Sequence, residues 1–251
     1  MAIKNRLHAF LTHLAISGLV ATIAMMVVFF VWYPAPLHTA VGVTKIFLML
    51  LAIDIIIGPI ITFIIFKPNK PSLKFDLTVI ALLQLTALGY GMHSVFEGRP
   101  EFVVFNVDRF TLARAYEIDP ASAETAAKNG NPSAKISWLQ PKWVAAIASS
   151  DSIRRKEIMF SSAMGGADWP LLPELYVPLA QEKDQILKRA RPLEELRRLH
   201  DNDTNSLADL AKWHDNQVKW VPMIGKAKNM VVLVDAQTAE VVKVLDMKPW
   251  P

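Results

Sequence analysis

The sequence predicts a membrane protein: three transmembrane α-helices followed by an α+β extracytoplasmic domain. Three observations predict it. Apolar runs cover residues 14–32, 46–66 and 77–96, and Asp54 is the only Asp, Glu, Lys or Arg in any of them. At residue 97 the composition turns polar and mixed, with proline-rich joints, and stays so to residue 251. The first 96 residues hold 6 Lys and Arg against 2 Asp and Glu, whereas the last 155 hold 21 of each, so the net charge of +4 belongs to the apolar part.

A helix rises about 1.5 Å per residue, so each run reaches the roughly 30 Å of a bilayer's hydrocarbon core. The membrane domain is therefore placed at residues 1–96, with helices at about 14–32, 46–66 and 77–96, and the second domain at 97–251, the size of one globular unit. Pro34 and Pro36 stop the first span, and Trp32 and Tyr33 stand where aromatic residues anchor a helix at the membrane interface. The first run is longer than the roughly 7–15 residues of a cleaved signal core and lacks a small-x-small site after it, so it is read as a retained anchor. The second span carries Asp54 and, one turn later, Gly58-Pro59. Proline lacks an amide donor and frees the carbonyl four residues earlier, here that of Ile55. The third span carries Gln84 in its first half and Gly89-Tyr90-Gly91 in its second.

Charge sets the orientation. Lys4 and Arg6 precede the first span, and Lys67, Lys70 and Lys74 fill the loop between the second and third. The loop from Tyr33 to Lys45 has only Lys45, at its end. Basic loops stay in the cytoplasm. The amino terminus is thus expected in the cytoplasm and the large domain outside it.

In the second domain, Phe102 to Val107 is rich in β-branched and aromatic residues and reads as a strand. Thr111 to Ile118 reads as a second strand or a short helix. Helices are expected over Ser122–Lys128, Arg154–Ser162, Leu179–Ala190 and Leu193–His200. A further helix, capped by Asn205 or Ser206, is expected to run to Trp213. Met230–Asp235 and Val241–Leu245 read as a β-hairpin. Strands at both ends with helices between predict one sheet shared by the terminal strands.

Composition excludes several functions. With no cysteine, the chain has no disulfide, thiol nucleophile or cysteine metal site. A neutral second domain gives no footprint for nucleic acid. G-x-S-x-G, H-E-x-x-H and Walker A patterns are absent. His200 and His214, beside Asp201 and Asp215, admit a metal site, but scattered surface histidines fit them better. Lys188, Arg189, Arg191, Arg197 and Arg198 interleave with Glu182, Asp184, Glu194 and Glu195 as on a solvated helix face. No catalytic residue, metal, cofactor or small-molecule substrate is assigned, and the chain is expected not to be an enzyme. An intramembrane aspartyl protease needs two carboxylates. Here Asp76 lies at the inner edge of the third span, which leaves Asp54 alone.

Asp54 has two compatible readings. It is structural, bonded to Gln84 or to carbonyls freed by Pro59, or it meets a polar group on another transmembrane helix. Ser17-Gly18 and Ala21-Thr22 offer a small-residue face on the first span for such packing.

Several stretches carry a family resemblance. They are Phe29-Phe30-Val31-Trp32-Tyr33-Pro34, Lys45-Ile46-Phe47 running into Ile53-Asp54 and Gly58-Pro59, and Ser72-Leu73-Lys74-Phe75-Asp76-Leu77. Phe105-Asn106-Val107-Asp108-Arg109-Phe110, Tyr176-Val177-Pro178 and Leu233-Val234-Asp235 continue it. With them the chain resembles the type IV pilin accessory proteins of the TfpX/TfpZ kind. The resemblance implies a bacterial inner-membrane accessory protein, or chaperone, that stabilises a cognate type IV pilin and promotes pilus assembly. The expected partners are that pilin and the lipid bilayer. Asp54, Gly58, Pro59 and Gln84 become candidate contacts for the pilin helix. The competing reading is a membrane-anchored enzyme of envelope or pilin modification with its site in the periplasmic domain.

Overall fold

A computed structural model describes residues 2–250. The chain forms two compact units, one from the residues up to Pro34 together with Val43–Gly98, the other from Ala35–Gly42 together with the residues from Arg99 on. In chain order the first helices are α1 (Ala2–Met26), α2 (Leu37–Val41), α3 (Val43–Ile65) and α4 (Leu73–Glu97). A π-helical stretch, Val27–Trp32, continues α1.

The first unit contains α1, α3 and α4. All three are long and apolar enough to cross a membrane, over Ile3–Trp32, Val43–Ile65 and Leu73–Glu97. Each extends beyond its apolar run. α1 begins far before residue 14 because no proline or glycine interrupts Lys4 to His13, and each added residue gains one more helical hydrogen bond. Leu19, Ile46 and Leu82 are among many large apolar side chains on these helices that lie at the surface, the composition of a face that meets lipid tails. At the basic end, Arg6 Nε donates to the Phe66 carbonyl (2.8 Å) just past the end of α3, and Lys70 pairs with Asp76 (2.5 Å).

The second unit is an α+β domain with one eight-stranded mixed sheet. Its strands are β1 (Pro100–Asn106), β2 (Arg109–Arg114), β3 (Lys142–Ala146), β4 (Tyr176–Pro178), β5 (Arg191–Pro192), β6 (Val218–Ile224), β7 (Met230–Asp235) and β8 (Val241–Leu245). They lie in the order β4-β3-β1-β2-β6-β7-β8, with β5 beside β6. Pairings β1–β3 and β2–β6 are parallel and the rest antiparallel. The terminal strands thus share a sheet, as the sequence predicts. Val103 and Phe105 of β1 face one core cluster, with Ile186 and Val221, while Phe102 and Val104 face another, with Ile158 and Tyr176. A strand covered on both faces needs an unbroken apolar run, which is what residues 102–105 supply.

Helices α5 (Pro120–Lys128), α6 (Ser152–Ala163), α7 (Lys183–Arg189), α8 (Leu193–Leu199) and α9 (Thr204–Leu210) cover the sheet's connections. The segment after Thr111 is strand to Arg114 and a 3-10 turn over Ala115–Glu117. A 3-10 turn also opens the segment expected as helix from Leu179. The cap of α9 is Asp203, whose carboxylate accepts from the Asn205 and Ser206 amides; it is neither of the two residues expected.

Besides the short strands β3, β4 and β5, two elements escape a reading of local pattern. β6 contains Pro222, normally evidence against an inner strand. It is tolerated because Pro222 falls between the short pairings with β5, at Lys219–Trp220, and β2, at Met223–Ile224. The other element is α2. The loop between the first two spans is not a free connection: Leu37 and Ala40 are buried in the domain core, and the Ala40 carbonyl accepts from the Ala227 (2.8 Å) and Lys228 (3.3 Å) amides. The loop after α1 and the domain after α4 therefore share one side of any bilayer that the three helices cross.

Candidate functional site

A carboxylate at the centre of a transmembrane helix costs roughly 2.5–3.5 kcal/mol on insertion scales, so its surroundings are the first place to look for function. Phe47, Leu51, Gly58 and Thr62 of α3 are buried, and helical spacing puts Asp54 on the same stripe, turned to the protein. The Asp54 side chain is half-buried, and its Oδ2 is shielded with no hydrogen-bond partner among the described residues.

Gln84 of α4 lies across Gly58. A Cβ at residue 58 would overlap the Gln84 amide, so glycine is what lets that side chain enter the seam between α3 and α4. Once there, Gln84 Nε2 donates to the main-chain carbonyl of Asp54 (2.9 Å), not to its carboxyl. Pro59 sits inside α3 without ending it. Further along the seam Leu50 fills the space that a Cβ at Gly91 would occupy. Gly58→Ala is expected to cost about 1–3 kcal/mol of membrane-domain stability through overpacking. Adding Gln84→Ala should recover part of that cost, because it removes the overlapping group. Thermal unfolding of the four chains of this double-mutant cycle in detergent checks it.

The three helices do not close on one another. α3 packs along both α1 and α4, but α1 and α4 pack little against each other. The result is a groove with α3 as its floor. One hollow, about 150 Å³, is lined by Ser17, Asp54, Gln84 and Leu88 among others; the next, about 640 Å³, by Asn5, His8, Thr62 and Leu77 among others. They share His13, Ile16 and Ala81 and so form one continuous track. Successive third and fourth residues of α1, from Asn5 to Ala21, line it. A third hollow, about 470 Å³, also touches Asp54 and Gln84 but is lined by α3 and α4 alone.

Polar groups mark the track. His13 Nδ1 lies 2.6 Å from Thr62 Oγ1. Beyond the track, Trp32 packs against Phe96 (ring centroids 5.0 Å apart), and the Tyr33 hydroxyl donates to the Val95 carbonyl (2.7 Å). Tyr33, expected as an interface anchor, is 1 % exposed and ties the helix ends together; Trp32 is half-buried beside it.

The structure thus brings together Asp54, Gly58 and Gln84 and leaves Trp32 and Tyr33 outside the track. Sequence reasoning missed His13, Thr62 and the α1 face from Asn5 to Ala21. The face had a legible signal, small and polar residues at helical spacing, but only its Ser17-to-Thr22 part was singled out.

In the second domain, Asn106 to Arg109 forms the β1–β2 hairpin tip, with Val107 at φ 59° and Arg109 paired to Asp108 (2.7 Å). The hydrogen bond from Arg109 holds the Asp108 carboxyl below the usual carboxylate range despite some burial. Asp235 ends β7 and accepts from the Gln237 and Thr238 amides, which lowers its carboxyl likewise. His200 contacts the Lys248 carbonyl (2.9 Å), and Asp215 is bound by Arg197 (2.8 Å).

Comparison with known proteins adds a family context. Residues 1–42 match the family model described as fimbrial assembly protein FimB. A fimbrial assembly protein of serogroup I from Dichelobacter nodosus is 31 % identical over 183 residues, covering 72 % of this chain and 70 % of that protein. Its serogroup E1 counterpart is 26 % identical over 230 residues, covering 89 % and 88 %. The protein of serogroups C1 and C2 is 38 % identical over 102 residues, covering 40 % and 78 %. No solved structure matches.

Proposed function

The chain belongs to the fimbrial assembly protein FimB family, and from that premise we propose that it is an accessory protein, not an enzyme, that binds and stabilises a cognate type IV pilin before assembly. The observation that carries this reading is the groove between α1 and α4. A pilin waiting in the membrane has an apolar amino-terminal helix in the bilayer and a folded head outside. The groove suits the helix. It is walled in part by small residues, Ala9, Ser17 and Ala21 on one side and Ala81 on the other, which let a helix backbone approach closely. The α+β domain is the part that meets the head.

The site is a bacterial inner membrane, with the amino terminus in the cytoplasm and the domain in the periplasm. Lys4, Arg6 and the lysines between α3 and α4 support that orientation. Deleting the gene tests the reading. Pilin levels and surface pili are expected to fall together, and re-expression of the chain to restore both. Normal pilin of altered mass would favour a modifying enzyme instead, and unchanged pilin with unchanged pili would overturn the reading.

A further inference from the structure

We propose that the groove recognises its occupant helix through a hydrogen-bond donor at mid-bilayer depth, which the Asp54 carboxyl accepts. This rests on the pilin-binding reading and names the chemistry of that site.

The occupant is a membrane-crossing helix. The lined face of α1 runs from Asn5 to Ala21, about 24 Å at 1.5 Å per residue, most of a hydrocarbon core. Only an element with its own backbone bonds satisfied can lie along such a track in lipid, and a helix is one.

The donor follows from what is already committed inside the unit. Asp54 Oδ2 is shielded and has no partner among the described residues. Gln84, which lines the same hollow, spends a donor on the Asp54 main-chain carbonyl and is held there over Gly58. The His13 ring faces Thr62 through Nδ1. Lipid tails carry no donor. Yet Asp54 lines the narrow hollow where α1 and α4 part, the place an occupant's side would fill. A shielded acceptor beside an open helix track is satisfied when the incoming helix brings an amine, hydroxyl or amide to that depth. A helix without one would leave the acceptor buried and unpaired, which discriminates against it.

The test uses the full chain co-expressed with its pilin. Because the chain has no cysteine, Ser17→Cys gives a unique attachment point for a photoreactive maleimide inside the groove. Cross-linking of pilin to that position reports occupancy of the groove. Co-purification of pilin, normalised to the amount of this chain in the membrane, reports affinity. Asp54→Leu and the smaller Asp54→Ala both remove the acceptor, and whichever accumulates at the normal level decides. Capture is expected to fall about 10- to 100-fold. Asp54→Asn keeps an acceptor without the charge. Capture lost with Asn identifies a cationic donor, and capture kept identifies a neutral one. Normal capture by the Leu or Ala chain with cross-linking intact would overturn the role of Asp54 and leave the groove standing. Absence of cross-linking in the Ser17→Cys chain would overturn the groove itself.

Discussion

Arg99→Met is expected to destabilise the α+β domain by about 3–5 kcal/mol, the usual cost of removing one partner from a buried ion pair. Arg99 and Glu101 side chains are 6 % and 5 % exposed, with Nη2 and Oε1 2.7 Å apart. They flank the start of β1, where the β1–β2 register shifts between Pro100 and Phe102 and leaves Glu101 as the extra residue of a bulge. A bulge re-aims a side chain, here within reach of Arg99. The carboxylate's charge is felt at Tyr176: burial first, and then Glu101, push that hydroxyl above the ordinary tyrosine range. Methionine at residue 99 keeps much of the volume but leaves the Glu101 carboxylate buried without its cation. Arg99→Met with Glu101→Leu removes both charges and is expected to recover most of the loss. Denaturant unfolding of the full chain in detergent, followed by tryptophan fluorescence, checks both, since six of the seven tryptophans lie beyond residue 97. A single-variant cost below about 1 kcal/mol would mean that the pair behaves like a surface one.

Leu37→Ala is expected to cost the same domain about 2–5 kcal/mol, although residue 37 lies more than sixty residues before the domain's first strand. Leu37 is 4 % exposed and packs in the cluster with Val103, Phe105 and Met230. Truncation there removes the transfer energy of the buried methyls and leaves a cavity among strands that cannot easily collapse. The tryptophan-monitored unfolding described above should show a lowered midpoint with an unchanged slope. A domain as stable as the parent would mean that α2 is an accessory cover and not part of the core.

α2 lies between α1 and α3 in the chain yet packs in the core of the α+β domain, so that core is built from two separated stretches of sequence.

How much was legible in the sequence depended on the range of the interaction. The β1 run Phe102–Phe105, the hairpin of β7 and β8 and helix α8 follow from local pattern, and the structure has them within a residue or two. β6 was hidden by Pro222, whose tolerance depends on where β5 and β2 pair. α2 was hidden because five residues between two spans carry no periodicity to read. In the membrane unit the sequence marked Asp54, Gly58 and Gln84 as residues that do not belong in lipid. Of the readings open for Asp54, the one that pairs its carboxyl with Gln84 is not what the structure has: Gln84 bonds the Asp54 main-chain carbonyl.

The sequence by itself determined the three helices long and apolar enough to cross a membrane and the turn to a mixed composition at residue 97. Each is a sum of one-residue costs: apolar length against bilayer thickness, and charge against hydrocarbon. Only the tertiary structure decided that α1 and α4 part over α3, that Asp54 keeps an oxygen without a partner among the described residues beside the opening, and that the first loop enters the domain core. Those outcomes are set by which distant residues meet, as Gly58 meets Gln84 and Leu37 joins the core cluster of β1, and no single-residue cost encodes a meeting.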